Sequence, residues 1–388
     1  MRTAKTALFV VSTLFLAFSL LGGSAAAPGA RAQTSGSLPS QVAVPDSAKP
    51  VLRTKSGFAR QAGVEVGKIT AAAAREEKKE GKRSAEPMPP VSSKEAAEED
   101  SFVFRFSGGW PQEAKSALEQ AGALWAGRLE TKVPVVIEAT WEEQGGQVLA
   151  NAGPTVYVSG RKISSLGGEV ASERAYYPLS LANALAGVDV NTSEPEIEMT
   201  VNSGIDWHYG LGGVPDGTRS LFTVALHELV HGMGFLGTMK VERGIGSWGL
   251  EGVEARAVPT VYDLYARGKS FGEAGQAGAL LNVCEYPNES SGLAQALTSG
   301  SFEGGGSDAS GLYFSMPSPD RPGAQGGEAV ALYAPSGWLD GTSYIHHNAD
   351  MGTLMIPYLP TGRTVSDPEL TTEMLGRLGW PLAQGEDE

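Results

Sequence analysis

Hydrophobic and polar positions fall into three regimes along this 388-residue chain. Residues 7–21 form an apolar run without a charge. Residues 33–100 are almost devoid of aromatics and carry no sustained apolar period. From Phe102 onward, folded-domain patterning begins. Phe102-Val103-Phe104-Arg105-Phe106 sets an aromatic at every second position, which predicts a strand. Residues 111–130 place Leu118, Ala121, Leu124, Trp125 and Leu129 on one side of a helix. Residues 134–141, 155–158 and 197–201 read as further strands. Residues 220–233 predict a nearly all-apolar helix closed by Gly234. Between 241 and 340 glycine is frequent and no long period survives, so this stretch reads as a loop-rich insertion. Residues 368–378 predict a last short helix, capped by Asp367. No internal repeat is present. The pattern specifies an α+β domain.

The ends of the first two regimes carry processing signals. Arg2 and Lys5 precede the apolar run, and Ala30-Arg31-Ala32 supplies small residues for cleavage before Gln33. Residues 1–32 therefore read as a signal peptide, with a second possible site near Ala25. The run is short for a span of about 20 residues, so a membrane anchor is not expected in the mature chain. This implies a secreted protein, extracellular or periplasmic. Residues 33–100 are rich in Pro, Ala, Ser, Lys and Glu. They hold too little apolar surface to offset ordering entropy and read as a disordered linker or propeptide. A short exposed helix at 71–82 would be ended by the prolines at 87, 89 and 90. Residues 101–388 form one domain.

Composition narrows the chemistry. The net charge of −14 argues against nucleic acid or an anionic membrane as partner. The one cysteine, Cys284, cannot make an internal disulfide, so packing must hold the fold, with or without a metal. Four of the five histidines fall in two tight groups, His227 with His231 and His346 with His347.

His227-Glu228-Leu229-Val230-His231 lies inside the apolar helix. Histidines four apart share one face of a helix, one turn apart, so both imidazoles can reach one ion. Glu228 projects beside that ion, where a carboxylate can take a proton from water. Chance produces such a pattern at this histidine content in fewer than about one chain in a hundred. A buried His-Glu-His set without a metal would also be costly. Catalytic zinc usually has three protein ligands and an open position. The compact pattern with a third ligand six residues past the second histidine fails here, because that position is Gly237. The remaining histidines of the mature chain are His208, His346 and His347. A glutamate on a later element, Glu251 or Glu254, is the other source of a third ligand.

These residues resemble a group of bacterial secreted metzincin-type peptidases, distantly similar to leishmanolysin. The shared features are Gly341-Thr342-Ser343-Tyr344-Ile345-His346 followed by Leu354-Met355-Ile356-Pro357. Ahead of the histidine helix, Ala139-Thr140-Trp141, Ala152-Gly153-Pro154-Thr155 and Asp206-Trp207-His208-Tyr209-Gly210 also match. So does the closing Leu375-Gly376-Arg377-Leu378-Gly379-Trp380-Pro381. The resemblance implies a metzincin-like domain with a twisted mixed sheet, a zinc helix, a long insertion at 241–340, and a closing segment, 341–388. That segment would bear the third ligand, the methionine turn and the C-terminal helix. It implies Zn2+ held by His227, His231 and His346, with Met355 under the metal and Glu228 as general base. Protein or peptide substrates follow. His347 ranks second as ligand, and His208 reads as a cleft-wall or packing residue. The other class of reading is a secreted binding or adhesion protein on a retired peptidase fold, against which an intact Glu228 argues. Leishmanolysin itself is rich in disulfides and held latent by a cysteine, and neither feature transfers to this chain.

The exported protein is expected to begin at Gln33. N-terminal sequencing of protein from the native host checks this, and Met1 on the exported form would refute it.

Overall fold

The computed structural model describes residues 51–53, 67–71, 101–145, 148–250, 257–269, 277–298, 311–316, 328–365 and 368–383. The signal segment 1–32, the cap residue Asp367, and Glu251 and Glu254 lie outside the described residues. What is described is a mixed α+β structure built on a six-stranded mixed sheet.

Two short strands come from the region before residue 101: β1 (Val51–Arg53) and β2 (Gly67–Ala71). The domain proper opens with β3 (Phe102–Gly108), helix α1 (Gln112–Ala126) and β4 (Val135–Glu142). Strands β5 (Val148–Pro154) and β6 (Val156–Ser159) follow directly. The short helix α2 (Gly160–Ser165), β7 (Tyr176–Pro178), α3 (Leu179–Ala186) and β8 (Ile197–Asn202) complete the first half. The sheet order ends β5-β8-β4-β3. Strands β3, β4 and β8 are mutually parallel, and β5 runs antiparallel to β8.

Period-2 patterning places Val135, Ile137 and Ala139 of β4 in the core beside Ile197, Met199 and Val201 of β8. In register, Ile137 faces Ile197 and Ala139 faces Met199. Strand β5 was not expected from the pattern. Its core residues include Ala150 and Ala152, which face Val201 and Met199. Alanines, Asn151 and Gly153 carry no β-branched or aromatic signal, and tertiary pairing overrides that weak propensity.

The short parallel pair β9 (Trp207–His208) and β10 (Arg219–Ser220) leads into helix α4 (Leu221–Gly232). All twelve residues of α4 are buried. It packs against α1, β5 and β8, which explains a helix with no polar face. The Trp125 indole donates to the Leu226 carbonyl at 3.2 Å, joining α1 to α4. The last turn of α4 comes very close to β8. A Cβ at Gly232 would lie 2.6 Å from the Ile197 side chain.

The insertion holds more regular structure than its composition suggests. Strands β11 (Lys240–Glu242) and β12 (Ile245–Ser247) form a hairpin against helix α5 (Ser291–Leu297). Strands β13 (Ala266–Lys269), β14 (Ala277–Ala279), β15 (Tyr313–Met316) and β16 (Glu328–Ala331) make a separate antiparallel sheet, ordered β14-β13-β15-β16. These strands are three or four residues long, below the length at which a sequence period can be read. The chain then returns through β17 (Tyr358–Leu359) to the closing helix α6 (Glu369–Leu378). The Trp380 indole donates to the Met233 carbonyl at 2.8 Å, tying the end of the chain to the end of α4.

Filling the Gly232 contact should cost stability. Gly232→Ala is expected to lower the unfolding free energy by about 1–3 kcal/mol, as overpacking does. Combined with Ile197→Ala, the loss should be smaller than the sum of the two single losses. Urea unfolding of the four proteins measures this, and strict additivity would show that the contact is not limiting.

Candidate metal centre

Helix α4 starts where Ser220 accepts a hydrogen bond from the Thr223 amide at 3.1 Å, an N-cap. It stops at Gly234, whose φ of +117° is a conformation that disfavours side-chain-bearing residues. That stop also orients a histidine, because the Phe235 carbonyl accepts from His231 Nδ1 at 2.9 Å. His227 Nδ1 donates to the Leu354 carbonyl at 2.8 Å, and His346 Nδ1 to the Thr342 carbonyl at 2.8 Å.

These three bonds decide the tautomers. A carbonyl oxygen only accepts, so each Nδ1 carries the proton. Each neutral ring then leaves Nε2 as a bare lone pair. The three Nε2 atoms converge, with His227–His231 and His227–His346 at 3.1 Å and His231–His346 at 3.3 Å. Three acceptors cannot hydrogen-bond one another. A tetrahedral ion at about 2.0–2.1 Å from each nitrogen requires nitrogen–nitrogen edges of about 3.3–3.4 Å. The donor set therefore fits one metal ion, and the three histidines could hold it.

All three rings are fully buried. Burial, first of all, pushes His227 and His346 well below the ordinary imidazole range and His231 down to about 4. Each is thus neutral, the form that ligates. Glu228 is also fully buried. It sits between His227 and His231 in sequence and shares a helix face with His231 at i, i+3 spacing.

His347 turns away from this cluster. Its Nδ1 meets Thr353 Oγ1 at 2.7 Å, its Nε2 lies 3.1 Å from Met374 Sδ, and its ring packs on Phe235. Burial holds it down to about 3. His208 is also elsewhere, with Nε2 3.0 Å from the Gly212 carbonyl. Met355 is fully buried, and its carbonyl accepts from the His347 amide at 2.7 Å. Leu354, its neighbour, holds the His227 ring.

Sequence reasoning missed the anchor of the third histidine. Asp263 is fully buried in a 3-10 turn at Tyr262–Tyr265. Its carboxylate accepts from the Thr238 amide (2.9 Å), the Thr238 hydroxyl (2.7 Å), the Thr260 amide (2.8 Å) and the Tyr344 hydroxyl (2.7 Å). Burial raises its pKa, and the bonds from Thr238, Tyr344 and Thr260 pull against that rise. The loop after α4 and the loop bearing His346 thus meet on one carboxylate. Tyr344 itself has φ +75°, a strained conformation costing of order 1–3 kcal/mol. The Tyr262 hydroxyl bond to its carbonyl and its own amide bond to the Tyr333 carbonyl hold it there. Gly237 is part of the same packing. A Cβ there would lie 2.2 Å from the Tyr344 ring, so this position could not carry a ligand at all. A lone acid among Val261, Tyr262, Leu264 and Tyr265 was the available signal for Asp263, since a buried acid demands partners.

No protein-family model, curated protein or solved structure matches this chain. Among the described residues, no helix is long and apolar enough to cross a membrane.

Metal-stripped protein is expected to take up one divalent ion per chain. His346→Ala should weaken binding by at least about 10–100-fold, the loss seen even for outer-shell partners. His347→Ala should retain the ion. Titration with a competing chelator reads both, and the reverse pattern would contradict the geometry.

Proposed function

We propose that this chain is a secreted zinc metallopeptidase of the metzincin type, distantly leishmanolysin-like. The observation that carries the reading is the convergence of three unprotonated Nε2 atoms at tetrahedral spacing, with Glu228 on the same helix. The motif resemblance at Gly341–His346 and Leu354–Pro357 supports the family. His227, His231 and His346 would hold Zn2+. When bound, zinc supplies Lewis-acid polarisation of a carbonyl and acidifies water toward a pKa of about 7.

The chain's own groups do the rest. Glu228 orients the attacking water, accepts its proton, and delivers a proton to the departing amine nitrogen. The buried setting of Glu228 and the three histidines excludes competing water and strengthens each electrostatic contact. The Leu354, Phe235 and Thr342 carbonyls keep the histidines in their ligating tautomers. The substrates are proteins or peptides. The apolar run at 7–21 behind Arg2 and Lys5 supports export.

Glu228→Ala separates metal binding from chemistry. It should keep one zinc per chain and lose peptidase activity by at least about 100-fold, the usual size of a general-base effect. Zinc content and hydrolysis of an unstructured protein substrate are measured on the same sample. Full activity in the zinc-loaded variant would sink the reading.

A further inference from the structure

Asp263 is a fully buried acid that stands outside the histidine cluster. Its two oxygens divide their donors. Oδ1 accepts from the Thr238 amide at 2.9 Å and the Tyr344 hydroxyl at 2.7 Å. Oδ2 accepts from the Thr238 hydroxyl at 2.7 Å and the Thr260 amide at 2.8 Å. Each oxygen therefore holds one backbone amide, and a backbone N–H can only donate. An asparagine here would turn its own NH2 toward one of those two amides, whichever way it flipped. The position calls for a group with two accepting oxygens, which is a carboxylate.

The donors it gathers come from the two segments that bring His231 and His346 together. Thr238 stands 238 − 235 = 3 residues past Phe235, whose carbonyl orients His231. Tyr344 stands 344 − 342 = 2 residues past Thr342, whose carbonyl orients His346. Tyr262, next to Asp263, donates its hydroxyl to the Tyr344 carbonyl at 2.9 Å. The two histidines are 346 − 231 = 115 positions apart in the chain, yet their Nε2 atoms lie 3.3 Å apart.

A histidine on a loop can ligate only in the fraction of molecules whose loop is in register, and the apparent affinity falls with that fraction. Tyr344 has φ +75°, a backbone conformation that a tyrosine rarely adopts unaided. A tie from outside the loop must select it, and the Asp263 carboxylate supplies one.

We infer that Asp263 is a positioning residue of the metal centre: through Tyr344 and Thr238 it sets the His346 ring against the His227–His231 pair, so that the insertion governs how tightly the ion is held. This rests on the metal reading of the three histidines and not on peptide hydrolysis.

The test uses full-length protein stripped of metal and loaded with Co2+, followed by visible absorption and by competition with a chelator. Asp263→Asn should weaken Co2+ binding by about 10–100-fold, the size of outer-shell losses. Tyr344→Phe removes one hydroxyl bond to the carboxylate and should cost about tenfold. Thr238→Val should weaken binding as well, and Thr238→Ser, which keeps the hydroxyl, should restore it. At saturating Co2+ the Asp263→Asn spectrum should move toward that of His346→Ala, the signature of a lost nitrogen ligand. A merely structural role would lower thermal stability and leave the spectrum and affinity of the folded protein unchanged. In a His346→Ala background, Asp263→Asn should cost no further Co2+ affinity. Unaltered affinity and spectrum in Tyr344→Phe and Thr238→Val would overturn the inference, whether or not Asp263→Asn folds. An equal loss with and without His346 would overturn it too. Co2+ binding that His346→Ala leaves unchanged would sink the metal reading along with this inference, whereas a His346-dependent ion indifferent to Tyr344→Phe and Thr238→Val sinks this inference alone.

Discussion

Three imidazole lone pairs point at one spot in the buried interior, and the surrounding architecture makes sense as the means of holding them there. Each ring is oriented by a backbone carbonyl from a different segment: the turn after α4, the Leu354 segment and the Thr342 loop. Three bare nitrogens about 3.1–3.3 Å apart repel unless a cation lies between them. A metal ion would convert that repulsion into a link between residues 346 − 231 = 115 positions apart. Metal binding in such a site is coupled to folding, because no preformed site exists in the unfolded chain.

The same constraint accounts for the polar node at Asp263. A long insertion between His231 and His346 leaves the His346 loop far from α4 along the chain, so something must register the two. Asp263 does this by accepting from Thr238 on one side and Tyr344 on the other. Leaving any of those buried donors without a partner costs about 1–3 kcal/mol. The node therefore offsets the strained backbone at Tyr344. Gly237 belongs to it as well, because only a residue without Cβ lets the Tyr344 ring approach. The lack of a candidate ligand at the short-range position and the presence of His346 at long range are thus two sides of one packing arrangement.

The sheet shows a parallel division. Its parallel strands β3, β4 and β8 are regular, core-facing and rich in aromatic or branched residues. Its other side is made of short or small-residue strands whose pairing is supplied by distant segments. β2 comes from far upstream and β17 from far downstream. Residues 33–100 were expected to be linker or propeptide. Two of their short stretches, Val51–Arg53 and Gly67–Ala71, enter sheets here, pairing with β6 and with β5 and β17.

Elements with a strong local period were legible in the chain alone. The aromatic alternation at Phe102–Phe106, the apolar stripe of α1 and the nearly all-apolar histidine helix each state their structure within a few residues, because burial on one face or all round leaves a fixed spacing. His227 and His231 were likewise legible, since helical geometry alone puts them on one face. Motif resemblance alone favours His346 over His347 in the sequence. Adjacent residues on a loop have no fixed direction, and only the contacts with Thr342, Thr353 and Met374 turn the two rings to different sides. Strand β5, Asp263 and the pairing of β2 left no period to read. Their meaning lies in contacts between residues from tens to more than 100 positions apart, and such contacts exist only once the tertiary structure brings those segments together.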